Sequence, residues 1–159
     1  MSITEQIPFN IVLVEPEIPP NTGSIARLCG ATNTVLHLVH PLGFSTDDKH
    51  MKRAGLDYWR FVNIVHWDNL DMFLQAQEET RLFFFTTKVA VPYFKACLQP
   101  GAFFIFGKET KGLPVDILEL YSDRCYTLPM QNAHIRSLNL AMTAGVVLYE
   151  AIRQNCIAP

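Results

Sequence analysis

Long apolar runs, paired cysteines and a surplus of one charge are all missing from this sequence. Although 49% of its 159 residues are hydrophobic, the apolar runs are short and broken by charges, well below the roughly 20 residues that a membrane helix needs. The opening MSITEQIPFN has neither the cationic start nor the apolar stretch of a secretory signal. Cys29, Cys97, Cys125 and Cys156 lie far apart, with no C-x-x-C pair and no His at ligand spacing. That argues against a metal site and predicts reduced thiols in a cytoplasmic protein. No linker, repeat or low-complexity tract divides the chain, so one domain over residues 1–159 is expected. The net charge of −2 does not announce a nucleic-acid partner, which leaves the question to local charge distribution.

What is present is an alternation of strand-like and helix-like stretches. Runs rich in Val, Ile and Phe predict strands over Asn10–Val14, Val35–Val39, Phe61–Val65, Leu82–Thr87, Phe103–Phe106 and Cys125–Leu128. Several are apolar on successive residues, as in strands covered on both faces. Helices are expected over Thr22–Ala31, Leu70–Glu79, Pro114–Leu120 and Leu138–Gln154. Asn21 and Ser137 are candidate caps, and Pro114 a first-turn residue. This order predicts an α/β fold, a mainly parallel sheet covered by helices on both faces. Ligands of such sheets bind beyond the carboxyl ends of the strands. The segments EPEIPPNTGSIAR, GKETKGLP and PMQNAHIRSLN fall at such ends.

The second of these segments raises a specific expectation. Gly107 and Gly112 bracket four residues, as in a phosphate-binding P-loop, but Leu113 and Pro114 follow where that motif needs Lys and then Ser or Thr. The P-loop reading fails. Separately, DDKHMKRAG (47–55) gathers Lys49, Lys52 and Arg53 with His50. It is either a phosphate-binding patch or a solvated face partly balanced by Asp47 and Asp48.

Taken together, IVLVEPEIPPNTGSIARLC (11–29), HPLGFSTDDKHMKRAGLDY (40–58), RLFFFTTK (81–88), FGKETKGLP (106–114) and SLNLAMTAGVVLYEA (137–151) resemble the SPOUT class of S-adenosylmethionine-dependent RNA methyltransferases. The resemblance is to the small single-domain branch that methylates the wobble ribose of tRNA. It implies a SPOUT fold with a C-terminal trefoil knot, a homodimer and an anticodon stem-loop as substrate. It also implies S-adenosylmethionine as methyl donor to the 2′-hydroxyl of cytidine or uridine 34, in leucine tRNAs. Alternative readings are a SPOUT ribose methyltransferase for another tRNA position or for rRNA, and a non-catalytic RNA-binding protein that keeps the fold.

The same resemblance assigns roles to residues. Arg27, Glu109 and Asn139 match the motif residues tied to catalysis. A guanidinium stays protonated, so Arg27 is read as an electrostatic clamp on phosphate and developing alkoxide. Glu109 is read as an orienting group for Arg27 or for a backbone amide. Phe85, Thr86, Gly107, Leu128, Met130, Ser137 and Leu138 match positions that wrap the adenosyl group, an apolar lining with main-chain hydrogen bonds. Lys49, Lys52 and Arg53 become RNA contacts, offered to the site of the other subunit. Lys108 and Ala141 replace the proline and serine common in this branch, and Lys108 adds a cation open to phosphate. Ala141, Ala144 and Gly145 are close together on the last helix, where glycine costs about 1 kcal/mol relative to alanine and calls for close packing in return.

Overall fold

The computed structural model of the protein describes residues 8–47, 49 and 56–156. Strands β1 (Asn10–Val14), β2 (Val35–Val39), β3 (Ile64–Trp67), β4 (Leu82–Phe85), β5 (Phe103–Phe106) and β6 (Cys125–Tyr126) form one sheet. Its order is β3-β2-β1-β5-β4-β6, and every pairing is parallel. Helices α1 (Pro19–Thr32), α2 (Leu70–Ala76), α3 (Val115–Leu120) and α4 (Leu140–Cys156) cover it. Among the described residues, no helix is long and apolar enough to cross a membrane.

Successive side chains of a strand point to opposite faces, and here both faces are buried. Ile11, Leu13, Phe104 and Phe106 pack with Ile25, Ala26 and Cys29 of α1 and with Ala144, Val147, Leu148 and Ala151 of α4. Val12, Val14, Phe84 and Ile105 pack with Phe73 of α2 and with Ile117 and Leu118 of α3. The spacing 144, 147, 148, 151 is one face of a helix. This two-sided burial explains why these strands are apolar at successive residues.

Several predicted boundaries move: β4, β6 and α2 end earlier than expected, at Phe85, Tyr126 and Ala76, and α3 starts at Val115. Phe61 ends a 3₁₀ turn (Trp59–Phe61) and is 73% exposed beneath the Arg60 guanidinium, so β3 begins only at Ile64, opposite Leu36. Helix α1 begins at Pro19, ahead of the predicted Asn21 cap, because its two prolines pre-set the φ of the first turn. Asn139 rather than Ser137 caps α4, its Oδ1 accepting from the amides of Ala141 at 2.9 Å and Met142 at 3.3 Å.

A buried polar pair, His37 of β2 and Asn10 of β1, lies inside the sheet layer. His37 is 6% exposed, and burial holds its pKa down to about 4. Trp67 Nε1 donates to its Nδ1 at 3.0 Å, which leaves Nε2–H to donate to Asn10 Oδ1 at 3.1 Å. The unfolded chain takes up a proton near pH 6.5 while the fold resists it. The contribution of neutral His37 is therefore present above that pH and is lost as pH falls through 6.5 toward 4. Urea unfolding is expected to show stability dropping over this window. A His37→Gln variant should lose up to roughly 3 kcal/mol less between pH 6.5 and pH 4 than the parent protein does.

Candidate active site

Beyond the carboxyl ends of β4, β5 and β6 lies a cavity of about 540 Å³, within the range of small-molecule sites. All the residues matched to adenosyl binding, namely Phe85, Thr86, Gly107, Leu128, Met130, Ser137 and Leu138, line it together with Glu109 and Asn139. Phe85 and Phe106 form its apolar floor, their rings stacked with centroids 5.3 Å apart. The strand ends bring these residues together: Phe85 pairs with Phe106 in the sheet, and also with Tyr126, two residues before Leu128.

Because β1 and β5 are neighbours, Leu13 opposite Phe106, the loops that follow them meet and grip each other. The Glu109 carboxylate accepts from the Glu17 amide at 2.8 Å, the Ile18 amide at 3.1 Å and Asn21 Nδ2 at 3.2 Å. In return, Glu17 accepts from the Thr110 amide at 3.1 Å and from the Thr110 hydroxyl at 2.8 Å. Those Thr110 bonds hold the Glu17 carboxyl below its usual pKa. A third link joins Lys108 to Glu15, a hydrogen-bonded ion pair that raises the lysine pKa. Glu109 thus orients backbone amides and not Arg27. The Lys108 cation, expected to be open to phosphate, is already paired.

Inside the second loop, Gly112 N donates to Lys108 O at 2.8 Å, and Gly112 turns at φ +69°. Gly107 is required for a different reason: a Cβ there would lie 2.1 Å from the Gly112 carbonyl carbon. The glycine lets the loop fold against itself. What it avoids is a clash with its own backbone, while its main chain faces the cavity.

Asn21, read from sequence as a cap, is the residue that ties the site together. Buried in the first turn of α1, it donates to Glu109 and accepts from Asn139 Nδ2 at 2.9 Å. The chain Glu109–Asn21–Asn139 joins the loop after β5 to the start of α4. An amide, which donates and accepts at once, suits that bridging position.

Arg27 stands apart from the cavity lining, on the exposed side of α1. Its guanidinium carbon lies 4.8 Å from the centroid of the Tyr58 ring, a cation–π contact. Tyr58 is fixed in turn, its hydroxyl donating to Gly23 O at 2.8 Å. Lys49 is exposed, and Lys52 and Arg53 lie outside the described residues. Among the described residues, no cluster of His, Cys, Asp and Glu is arranged for a metal ion.

Known proteins resemble this chain over nearly its whole length. The profile of the SpoU rRNA Methylase family matches residues 8–149. A Methylovorus glucosotrophus protein named tRNA (cytidine(34)-2'-O)-methyltransferase is 48% identical over 151 residues, covering 94% of this chain and 97% of its own. A Burkholderia ambifaria protein of the same name is 47% identical over 150 residues, covering 92% and 95%. A solved structure from work on the 2-OH methylation of C/U34 on tRNA superposes with a TM-score of 0.84. It is 39% identical, covering 92% of this chain and 95% of its own.

The two glycines of the loop should respond differently to alanine. Gly107→Ala is expected to cost on the order of 3 kcal/mol, because backbone must move. It should also remove hydrogen-exchange protection from the Gly112 amide. At Gly112 nothing lies within 4 Å of the added Cβ, so only the left-handed backbone is penalised, by about 1–2 kcal/mol. Chemical denaturation of both variants, with exchange rates at Gly112, measures the difference.

Proposed function

The chain belongs to the SpoU rRNA Methylase family, and from that premise we infer that it methylates the wobble ribose of tRNA. In this reading the methyl group passes from S-adenosylmethionine to the 2′-oxygen of cytidine or uridine 34, with leucine tRNAs as substrates. The observation that carries it is the gathering of Glu109, Asn139 and the residues matched to adenosyl binding around one cavity beyond the strand ends. Relatives sharing nearly half of their residues bear the corresponding activity in their names.

The lining fits an adenosyl group. Phe85, Phe106 and Leu128 offer apolar surface, while the loop from Gly107 to Gly112 offers main-chain groups. When bound, the cofactor supplies an electrophilic methyl on a sulfonium, whose S–C electron pair stays with sulfur as the C–O bond forms. The protein's task is then to hold hydroxyl and methyl in line, which is worth several powers of ten in rate. Glu109 is the one carboxylate lining the cavity, and its oxygens already accept three hydrogen bonds. That makes it an anchor and not the base for the hydroxyl proton. Asn139 is oriented by Asn21 to face the reacting groups. Arg27, outside the lining and supported by Tyr58, meets the RNA and steadies phosphate and developing alkoxide.

The active form in this reading is a homodimer in the cytoplasm, with α1 and α4 packed across the two-fold axis. Met142, Val146 and Tyr149 make an exposed apolar stripe on α4. Among the described residues a Cβ on Gly145 would touch only Leu28 Cδ2, at 4.0 Å, so none of them makes the close approach that a helix glycine implies. Lys49, Lys52 and Arg53 serve the partner's site. The single domain ends in a trefoil knot through which α4 is threaded.

Ribose-methylation mapping of tRNA from a deletion strain should show loss at nucleotide 34 alone; an intact mark there, or loss in rRNA, overturns the reading. Arg27→Ala should lower methyl transfer at least 100-fold, the usual weight of a positioned charge stabiliser, while calorimetry shows S-adenosylhomocysteine binding unchanged. Arg27→Lys should rescue poorly, since one ammonium does not reproduce a forked guanidinium. Gly145→Leu should shift the protein toward monomer in light scattering, with activity falling in parallel.

A further inference from the structure

The acids and bases at the mouth of the cavity are unequally used. Glu109 is fully engaged by the β1 loop, Glu17 by Thr110, and Glu15 by Lys108. Three other cations line the same cavity from three separate segments: Lys88 after β4, Lys111 in the loop after β5, and Arg136 ahead of α4. All three are exposed. Among the described residues, none of their side chains has an ion-pair or hydrogen-bond partner; the Lys88 amide donates to the Thr86 hydroxyl. Glu17 acts through space on Lys111, and its oxygens are already turned to Thr110. Of the three acids only Glu15 is neutralised, by Lys108, while Glu109 and Glu17 keep their charge turned toward the donors of the clasp; Lys88, Lys111 and Arg136 form the outer, positive rim.

We propose that Lys88, Lys111 and Arg136 form a phosphate-binding rim that grips the RNA backbone at the cavity mouth. This rests on the RNA-methylating reading above and names the surface that reading leaves unspecified. A bound S-adenosylmethionine does not account for the rim. It carries one carboxylate against an ammonium and a sulfonium, so its net charge is positive and three surplus cations oppose it. A polyanion is the partner that such a rim attracts, and Arg136 adds the forked geometry suited to phosphate. It also explains how a chain of net charge −2 holds RNA: the favourable field is local and centred on the reacting ribose.

The test is the affinity of an anticodon stem-loop oligoribonucleotide, measured by fluorescence anisotropy across a salt series. The parent protein is compared with the Lys88→Gln, Lys111→Gln, Arg136→Gln triple variant, and S-adenosylhomocysteine binding is followed on both by calorimetry. Each phosphate contact contributes about 0.7 to 0.9 to the logarithmic salt slope, so the variant should be flatter by roughly 2 to 3. Its affinity at 0.1 M salt should fall at least tenfold for stem-loops of any sequence, because phosphate contacts do not read bases. S-adenosylhomocysteine affinity should stay within about twofold, since exposed rim residues act on RNA and not on the nucleoside. Equal slopes for the two proteins would place the RNA elsewhere and overturn the rim while leaving the tRNA reading intact. A loss of S-adenosylhomocysteine affinity with an unchanged slope would assign the cations to the cofactor carboxylate, again against the proposal. No stem-loop affinity in the parent protein at low salt would end both the rim and the tRNA reading.

Discussion

The site depends on a reciprocal exchange of carboxylates between two loops. Glu109 leaves the loop after β5 to collect the amides of Glu17 and Ile18, and Glu17 leaves the loop after β1 to collect Thr110. These are charge-assisted hydrogen bonds, roughly twice as strong as neutral ones, and they satisfy amides at the entrance to α1 that the helix itself leaves without partners. Asn21 extends the exchange to Asn139 and so to the cap of α4. One connected set of bonds thereby fixes the geometry of the segments that follow β1, β5 and β6.

The clasp also shapes the electrostatics. A carboxylate that accepts several hydrogen bonds is poorly suited to take a proton, and one already facing an ammonium no longer repels phosphate. By turning its acids inward the loop pair leaves its remaining bases outward, where RNA would arrive. Arg27 receives separate support from the Tyr58 ring, which is itself anchored on the backbone of α1. Helix α4 serves two ends: its first turn is capped by a cavity residue, Asn139, while farther along it buries Ala144, Val147 and Leu148 and exposes Met142, Val146 and Tyr149.

The fold was legible where burial is two-sided. β1, β2 and β5 begin and end at the predicted residues, because continuous apolar runs bounded by polar or turn residues have few other uses. β3 was not, since Phe61 and Val62 look like strand residues and only the register opposite β2 sets its start at Ile64. The caps were misread for a related reason: Asn21 and Ser137 have capping chemistry, but capping is decided by which residue the chain path places at the first turn. Within the site, the family resemblance brought out Gly107, Glu109 and Asn139. The resemblance did not disclose Asn21 as their link, nor that Lys108 is taken by Glu15, because both facts rest on residues 88 or more positions apart.

The α/β order of elements, the two-faced burial of the strands and the absence of a P-loop were already decided in the sequence, while the motif residues came from the family resemblance alone. The first three are local properties. These follow from local periodicity and residue chemistry, which act over a few positions. Tertiary structure alone decided which loops touch, and so which charges cancel. In the sequence Glu109 reads as an orienting group and Lys108 as an open cation, and nothing there pairs Glu15, Glu17 or Thr110 with them. They become a clasp only because β1 and β5 are hydrogen-bonded neighbours in the sheet, and Lys88, Lys111 and Arg136 meet around one cavity only because the strand order brings their three segments together.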